Sequence, residues 1–172
     1  AIALLPVYGA VAQAVYAGLD ERGITSFVAC SNTPSAYTRL ADGGVDIFFG
    51  LAPSAQQTAY AKSKGLTLTQ TPIGREAFVF FVHKDNPVQN LTLEQIRGVY
   101  TRKIINWKVL GGNDAPMLAF QRPSGSGSQT TMLQVVMEGK PMMPPLQEEL
   151  HFGMGDIVLG VAAYRNRMNA LG

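Results

Sequence analysis

The sequence predicts an α/β fold in which mostly parallel sheets are flanked by helices. Segments with helical and strand patterns alternate through the first half of the 172-residue chain, and this order builds a parallel sheet. The run VDIFFGLA (45–52) is largely apolar, as expected of a parallel strand buried on both faces. Hydrophobic residues make up 47% of the chain and charged residues 15%, which is typical of a globular protein with a core.

The first half of the chain predicts three helices and four strands. The helices are predicted over 4–23, within 31–44 after an initial turn, and over 53–65, and the strands over 25–30, 45–52, 66–73 and 76–83. Thr33 is the predicted N-cap of the second helix with Pro34 at its first position, and Gly65 ends the third helix. Because a parallel lobe usually begins with a strand, we expect the strand before Leu4 to be missing.

The second half begins with a change of composition at KDNPVQNLT (84–92), where a Pro and Asn residues suit a segment that crosses between lobes. We therefore expect a partial first lobe over 1–83 and a second lobe over 84–172. Thr92 and Gln95 form a predicted capping box, and Trp107 is the predicted packing anchor of a loop. The remaining elements are a strand over 117–121 and helices over 93–102, 128–138 and 156–172.

Composition and charge exclude several classes of function. A net charge of +2 without a run of Lys or Arg argues against a nucleic-acid partner. Cys30 is the only cysteine, so an intrachain disulfide and a cysteine metal cluster are excluded. No apolar run reaches the length of a membrane span, and no signal-peptide pattern opens the chain. Since the chain has no initiator Met, we expect a processed or excised piece.

A short turn of Ser and Gly, RPSGSGSQTTM (122–132), lies between a predicted strand and a predicted helix. Such a turn gathers backbone N–H groups without intrahelical acceptors, and the helix dipole favours negative charge there. Glycines allow a close approach, serine hydroxyls add donors, and Arg122 offers a planar fork suited to an oxyanion. The turn therefore suits a tetrahedral anion. A structural turn in which Arg122 pairs with a surface acid explains the same residues.

The Ser/Gly turn lacks the residues of common catalytic motifs. No Lys follows the glycines as in a Walker A loop, and GSGS is not the G-x-S-x-G nucleophile elbow. His83 and His151 lie in unrelated segments and make neither a metal pair nor an obvious general base. We therefore predict no enzyme, no metal site and no cofactor.

A second turn of hydroxyl and amide residues, CSNTPS (30–35), also leads from a predicted strand into a helix. As a simple N-cap it needs no ligand. Two helix N-termini suited to anion binding, one in each predicted lobe, strengthen the case for an anion held from both sides.

The two turns, with RGVYTRKIINW (97–107) between them, resemble the substrate-binding proteins of phosphate ABC transporters, which belong to the type II periplasmic-binding-protein group. FQRPSGSGSQTTM (120–132) resembles the family's phosphate loop, and the likeness runs from about residue 5 to 172. It implies a two-lobed protein that captures inorganic phosphate for an ABC transporter permease. It also implies a periplasmic or cell-surface location, with a lipid anchor as one form of the full-length protein.

The resemblance also implies which residues bind the ligand. Arg122 would make charge-assisted bonds to the anion. The other implied phosphate-binding residues are Ser124, Ser126, Gly127 and Ser128 in the Ser/Gly turn and Thr33, Ser31 and Asn32 in the first lobe.

The sequence departs from the family pattern at three places. Leu51 stands where well-known members have an Asp that accepts the proton of monohydrogen phosphate, while Asp46 matches a structural Asp. The family's first strand and anion-binding loop are expected to be absent, and the chain stops at NALG (169–172), where members continue into the first lobe. Sulfate, molybdate or a small organic anion is therefore an alternative ligand. The same residues also allow an enzyme that acts on a phosphorylated substrate, or an interaction fragment that binds no ligand.

Overall fold

The computed structural model describes residues 2–4, 17, 28–75, 77–163 and 170–172. The predicted helix over 4–23 lies almost wholly outside these residues. The chain forms two compact units, one of Ala1–Arg75 with Gly125–Thr130 and one of Glu76–Ser124 with Thr131–Gly172. The lobes expected over 1–83 and 84–172 stay a prediction.

The first unit contains a three-stranded parallel sheet. Its strands are β1 (Ile2–Leu4), β2 (Val28–Cys30) and β3 (Ile47–Phe49), in the order β2-β1-β3. Ile2 pairs with Val28 on one side and with Ile47 on the other. The expectation that the first strand is missing was wrong, because the first residues supply the central strand. The segment AIAL is too short to reveal a strand by its pattern, and pairing on both sides stabilises it.

Strand β3 is not buried on both faces, contrary to the prediction for 45–52. Ile47 is 52% exposed, and Phe48 and Phe49 are half-buried. The reason is its position at the edge of the described sheet, where one side of a strand lacks a neighbour. The core of this unit lies beside it, where Phe48 and Leu40 pack against buried Ala36 and Val45.

Two helices of the first unit begin at side-chain caps. Helix α1 (Thr33–Ala41) is capped by Asn32, whose Oδ1 accepts a hydrogen bond from the Ser35 N–H at 2.9 Å. The predicted cap, Thr33, is instead the first helical residue, because Asn32 at the preceding position is a better N-cap than Thr. Helix α2 (Ala55–Ser63) starts at a capping box formed by Ser54 and Gln57. As predicted, it ends just before Gly65, which has a φ of +76°.

The strands predicted over 66–73 and 76–83 were wrong. The described residues of these segments form no ladder, only an isolated antiparallel bridge between Val82 and Leu171. Most of the side chains are exposed, including Ile73 at 70% and Val79 at 66%. Alternating apolar residues favour a strand, but a strand also requires a partner, and local sequence does not supply one.

The second unit is held by a parallel strand pair, β4 (Leu118–Ala119) and β5 (Ala170–Leu171). Helices α3 (Leu93–Tyr100) and α5 (Met154–Ala163) belong to this unit. Helix α4 (Gly127–Thr131) lies in the first unit up to Thr130, and a π-helical turn over Met132–Val136 follows it in the second unit. Short 3₁₀ turns cover Trp107–Leu110 and Gln147–Glu149. The helix predicted to run to residue 172 was wrong at its end, because β5 pairs with β4 there.

Packing in the second unit confirms two local predictions. Trp107 is 1% exposed and belongs to the largest core cluster, as expected of a packing anchor. Thr92 Oγ1 accepts from the Gln95 N–H at 3.2 Å while Gln95 Oε1 accepts from the Thr92 N–H at 2.8 Å, which completes the capping box. Among the helices that the structure describes, none is both long and apolar enough to cross a membrane.

Candidate functional site

The Ser/Gly turn enters helix α4 through a serine cap. Ser126 Oγ accepts a hydrogen bond from the Gln129 N–H at 3.2 Å, and the Ser126 carbonyl accepts from the Thr130 N–H at 2.9 Å. Gly125, just before this cap, has a φ of +82°, a conformation that favours glycine. The N–H groups of Gly127 and Ser128 lie in the first turn of the helix, where intrahelical acceptors are lacking.

The turn packs directly on residues of α1 and on Leu51 within the first unit. A Cβ atom built on Gly127 would lie 3.0 Å from Thr33 Oγ1 and 2.6 Å from Leu51 Cδ1. A Cβ on Gly125 would lie 3.6 Å from Pro34 Cγ. These distances leave no room for a side chain at position 127. The structure therefore brings the predicted residues Thr33 and Gly127 together.

Gln57 is a member of this cluster that the sequence analysis missed. Its Nε2 donates to the Gly125 carbonyl at 3.3 Å, while its Oε1 accepts from the Ser54 N–H at 2.8 Å. One side chain therefore completes a capping box and holds the Ser/Gly turn. The pairing of Ser54 with Gln57 three residues later was the sequence signal for the cap, but nothing local indicates the contact with Gly125.

The predicted site residues of the first unit differ in solvent exposure and in the hydrogen bonds that their polar atoms make. Thr33 is 5% exposed and Ser126 is 9% exposed, whereas Ser31 and Ser128 are half-buried. The side-chain oxygen of Asn32, Oδ1, accepts the cap bond from the Ser35 N–H, which leaves the Nδ2 protons of Asn32 as donors. The cluster is thus rich in neutral donors.

Leu51 contributes no carboxylate to this cluster. Its side chain points at Gly127, and its carbonyl accepts a hydrogen bond from the Tyr37 hydroxyl at 2.6 Å. Burial raises the pKa of Tyr37 to about 12, so this hydroxyl keeps its proton at neutral pH. Within the described ranges, no group of three or more His, Cys, Asp or Glu side chains could hold a metal ion.

Arg122 and Ser124 belong to the second unit. Arg122 Nη2 donates to the Phe152 carbonyl at 2.8 Å. Burial lowers the pKa of the Arg122 guanidinium and the nearby Asp156 opposes this shift, but an arginine remains charged at neutral pH. Ser124 is exposed.

A sequence profile of the PBP superfamily domain matches residues 3–167. The chain belongs to the PBP superfamily. This membership confirms the α/β class and the periplasmic-binding-protein-like fold predicted from the sequence.

Comparison with individual proteins gives more detail. The phosphate-binding protein PstS of Bacillus subtilis is 33% identical over 58 residues, which are 34% of this chain and 19% of that protein. A phosphate ABC transporter substrate-binding protein of Clostridium perfringens, described as putative and solved with bound phosphate, is 26% identical with a TM-score of 0.68. That likeness covers 99% of this chain and 68% of the other.

A further solved structure supports the fold alone. An ABC-type phosphate transport receptor from Vibrio cholerae has a TM-score of 0.61 at 17% identity, over 99% of this chain and 68% of that one. The curated relatives are covered over much less of their length, between 19% and 38%.

Proposed function

We propose that this PBP-superfamily chain belongs to a substrate-binding protein that captures inorganic phosphate for an ABC importer. The observation that carries the proposal is the packing of the Ser/Gly turn on Thr33, which gathers the donors of two helix starts in one compact unit. The likeness to a chain with bound phosphate supports the same choice of ligand.

In this proposal neutral donors surround the anion and one arginine supplies positive charge. The N–H groups of Gly127 and Ser128 offer first-turn hydrogen bonds. Because Ser126 Oγ accepts a bond from Gln129, its own proton stays free to donate. Arg122 adds charge-assisted hydrogen bonds. The other proposed donors are the hydroxyls of Ser31, Thr33, Ser124 and Ser128 and the amide of Asn32.

The proposed role is binding without catalysis. The proposed donors can hold an oxyanion, and in the described part of the chain no hydrogen bond joins their serine and threonine hydroxyls to a general base that could activate a nucleophile. We expect no hydrolysis of a generic phosphate ester by this chain. A turnover that disappears in a Ser126→Ala variant would instead favour an enzyme acting on phosphorylated substrates.

A second candidate ligand is a different oxyanion, and Leu51 is the observation that favours it. Monohydrogen phosphate carries a proton that needs an acceptor, whereas fully ionised sulfate carries none. With an aliphatic side chain facing Gly127, the site offers no carboxylate at this position. Sulfate, molybdate or a small organic anion would then bind as well as phosphate. Calorimetric titration with phosphate and with sulfate separates the two candidates.

The partner and the location of the protein form part of the same proposal. An ABC transporter permease is the proposed partner, and the periplasm or the cell surface is the proposed location. Neither requires a nucleic-acid contact or a membrane span within the described residues.

Substitution of Arg122 tests the proposed function. Arg122→Ala should weaken phosphate binding at least about tenfold, because a hydrogen bond to a charged group contributes roughly 1.5–3 kcal/mol. Arg75→Ala is the matched control, since Arg75 is an exposed arginine of the same chain. Equal effects of the two substitutions would remove Arg122 from the site.

A further inference from the structure

Glu149 is a fully buried carboxylate that the proposed function does not use. Its exposure is 0%. Glu149 Oε1 accepts a hydrogen bond from the Ala119 N–H at 3.0 Å, and Oε2 accepts from the Leu146 N–H at 2.7 Å. Oε2 also pairs with Arg102 Nη2. A buried charge is costly unless it is paired and hydrogen-bonded, and these three partners satisfy that condition.

The backbone of Glu149 extends the pairing beyond strand β4. Its carbonyl accepts from the Gln121 N–H at 2.8 Å, and the Gln121 carbonyl accepts from the His151 N–H at 2.9 Å. Gln121 and Leu150 form the corresponding parallel bridge. The segment 149–151 is therefore aligned with Gln121 by both the backbone and the Glu149 side chain.

Arg122 directly follows Gln121, and Phe152 directly follows the aligned segment 149–151. The guanidinium of Arg122 is held by Phe152. Arg122 Nη2 donates to the Phe152 carbonyl at 2.8 Å, one position beyond His151. Phe152 itself is 72% exposed, so its own side chain packs little against the protein. The place of the Phe152 carbonyl thus depends on the residues that fix the segment before it.

Arg102 has a left-handed backbone conformation. Its φ is +59°, which is uncommon for a residue other than glycine and costs on the order of 1–3 kcal/mol. Its side chain is only 27% exposed. The side chain of this residue is held by the ion pair with Glu149.

We propose that Glu149 and Arg102 form a positioning pair that fixes the guanidinium of Arg122 for the anion. The pair acts through the segment 149–152, whose Phe152 carbonyl holds Arg122. This inference rests on the proposed function, in which Arg122 contacts the ligand.

A double-mutant cycle with inorganic phosphate tests the pair. Glu149→Gln keeps the size of the side chain but removes its charge. The amide nitrogen that replaces Oε2 cannot accept hydrogen bonds from Leu146 or Arg102. In the full chain this substitution should weaken phosphate binding roughly tenfold. In an Arg122→Ala background it should have almost no effect, because the group that it positions is already gone. Glu148→Gln, an exposed neighbour, is the control.

Equal losses of affinity in both backgrounds would overturn the proposal, because they would show an effect that does not pass through Arg122. If Glu149→Gln fails to fold, Arg102→Gln replaces it in the same cycle. That variant removes the other charge of the pair at a partly exposed position.

A second readout does not depend on phosphate. The rate at which phenylglyoxal modifies Arg122, followed by mass spectrometry, reports how firmly the guanidinium is held. Glu149→Gln should raise this rate roughly threefold while the rate at exposed Arg75 stays unchanged. An unchanged rate at Arg122 would overturn the positioning role. If wild-type protein binds no phosphate, the proposed function fails, and the modification rates still decide whether Glu149 positions Arg122.

Discussion

Gly127 lies so close to Leu51 that a Cβ atom at position 127 would stand 2.6 Å from Leu51 Cδ1. The same Cβ would stand 3.0 Å from Thr33 Oγ1. Gly127→Ala should therefore displace Leu51 and lower the free energy of unfolding by about 1 kcal/mol, which is the low end for overpacking. We also expect weaker phosphate binding, since the turn must shift from Thr33. Chemical denaturation and calorimetry measure the two effects.

Two further variants determine whether the contact with Leu51 is responsible. Gly74→Ala is the control, because a Cβ at that position meets no atom within 4 Å. Adding Leu51→Ala to Gly127→Ala should restore part of the affinity by making room for the new methyl group. A double variant that binds no better than Gly127→Ala would show that Leu51 does not limit the turn.

Two glycines of helix α5 should respond in opposite directions to the same substitution. A Cβ at Gly155 would meet open space, whereas a Cβ at Gly160 would lie 2.7 Å from His151 Cε1 and 3.1 Å from Phe120 Cε2. Gly155→Ala should raise the free energy of unfolding by up to ~1 kcal/mol through helix propensity. Gly160→Ala should lower it by roughly 1–3 kcal/mol through overpacking. Thermal unfolding of the pair measures the difference, and a stabilising Gly160→Ala would contradict the packing.

His151 should make stability depend on pH. Its ring packs on Phe120 with the ring centroids 4.2 Å apart, and no acceptor in the described part of the chain reaches its buried Nε2 atom. Burial is the main cause that lowers the pKa of His151 below its ordinary value of 6.5, with Asp156 opposing and Arg122 adding to the shift. The unfolded chain therefore binds a proton at a higher pH than the folded chain does.

The sign of the effect follows from this difference. The free energy of unfolding should be highest above pH 6.5 and should fall as the pH drops from there through the lowered pKa of the folded state. His151→Phe keeps a ring and removes the titration, so it should flatten the slope below pH 6.5. A slope that persisted in His151→Phe would show that another group causes it. Denaturation at several pH values decides between these outcomes.

Local features of the fold were predictable from the sequence, and long-range ones were not. The capping box of Thr92 and Gln95 depends on residues three apart, so the sequence contains all of it. The central place of strand β1 and the absence of a ladder in the described residues of 66–73 depend on partners far along the chain. At the site, the Ser/Gly turn was evident from its composition, whereas Gln57 was not, because its contact with Gly125 spans 68 positions. The burial of Glu149 is likewise a tertiary effect.

Arg97 should stabilise the helix that follows the Ser/Gly turn. Arg97 Nε donates to the Val136 carbonyl at 2.7 Å, at the end of the π-helical turn over Met132–Val136. Its other nitrogens pair with Glu94 and Glu138, both at 2.7 Å. Since a lysine ammonium cannot reproduce this planar set of donors, Arg97→Lys should lower the free energy of unfolding by roughly 1–3 kcal/mol.

Salt separates the contributions of these partners. Glu94 is 77% exposed, so Glu94→Gln should lower the free energy of unfolding far less than Arg97→Lys, and this loss should fade in roughly 1 M NaCl as the ion pair is screened. The cost of Arg97→Lys should largely persist in the same salt, because the Val136 carbonyl is uncharged and the Arg97 side chain is only 11% exposed. Urea denaturation of both variants at low and high salt is the measurement. If salt abolished both costs alike, Arg97 would act as a surface ion pair and not as the anchor of the π-helical turn.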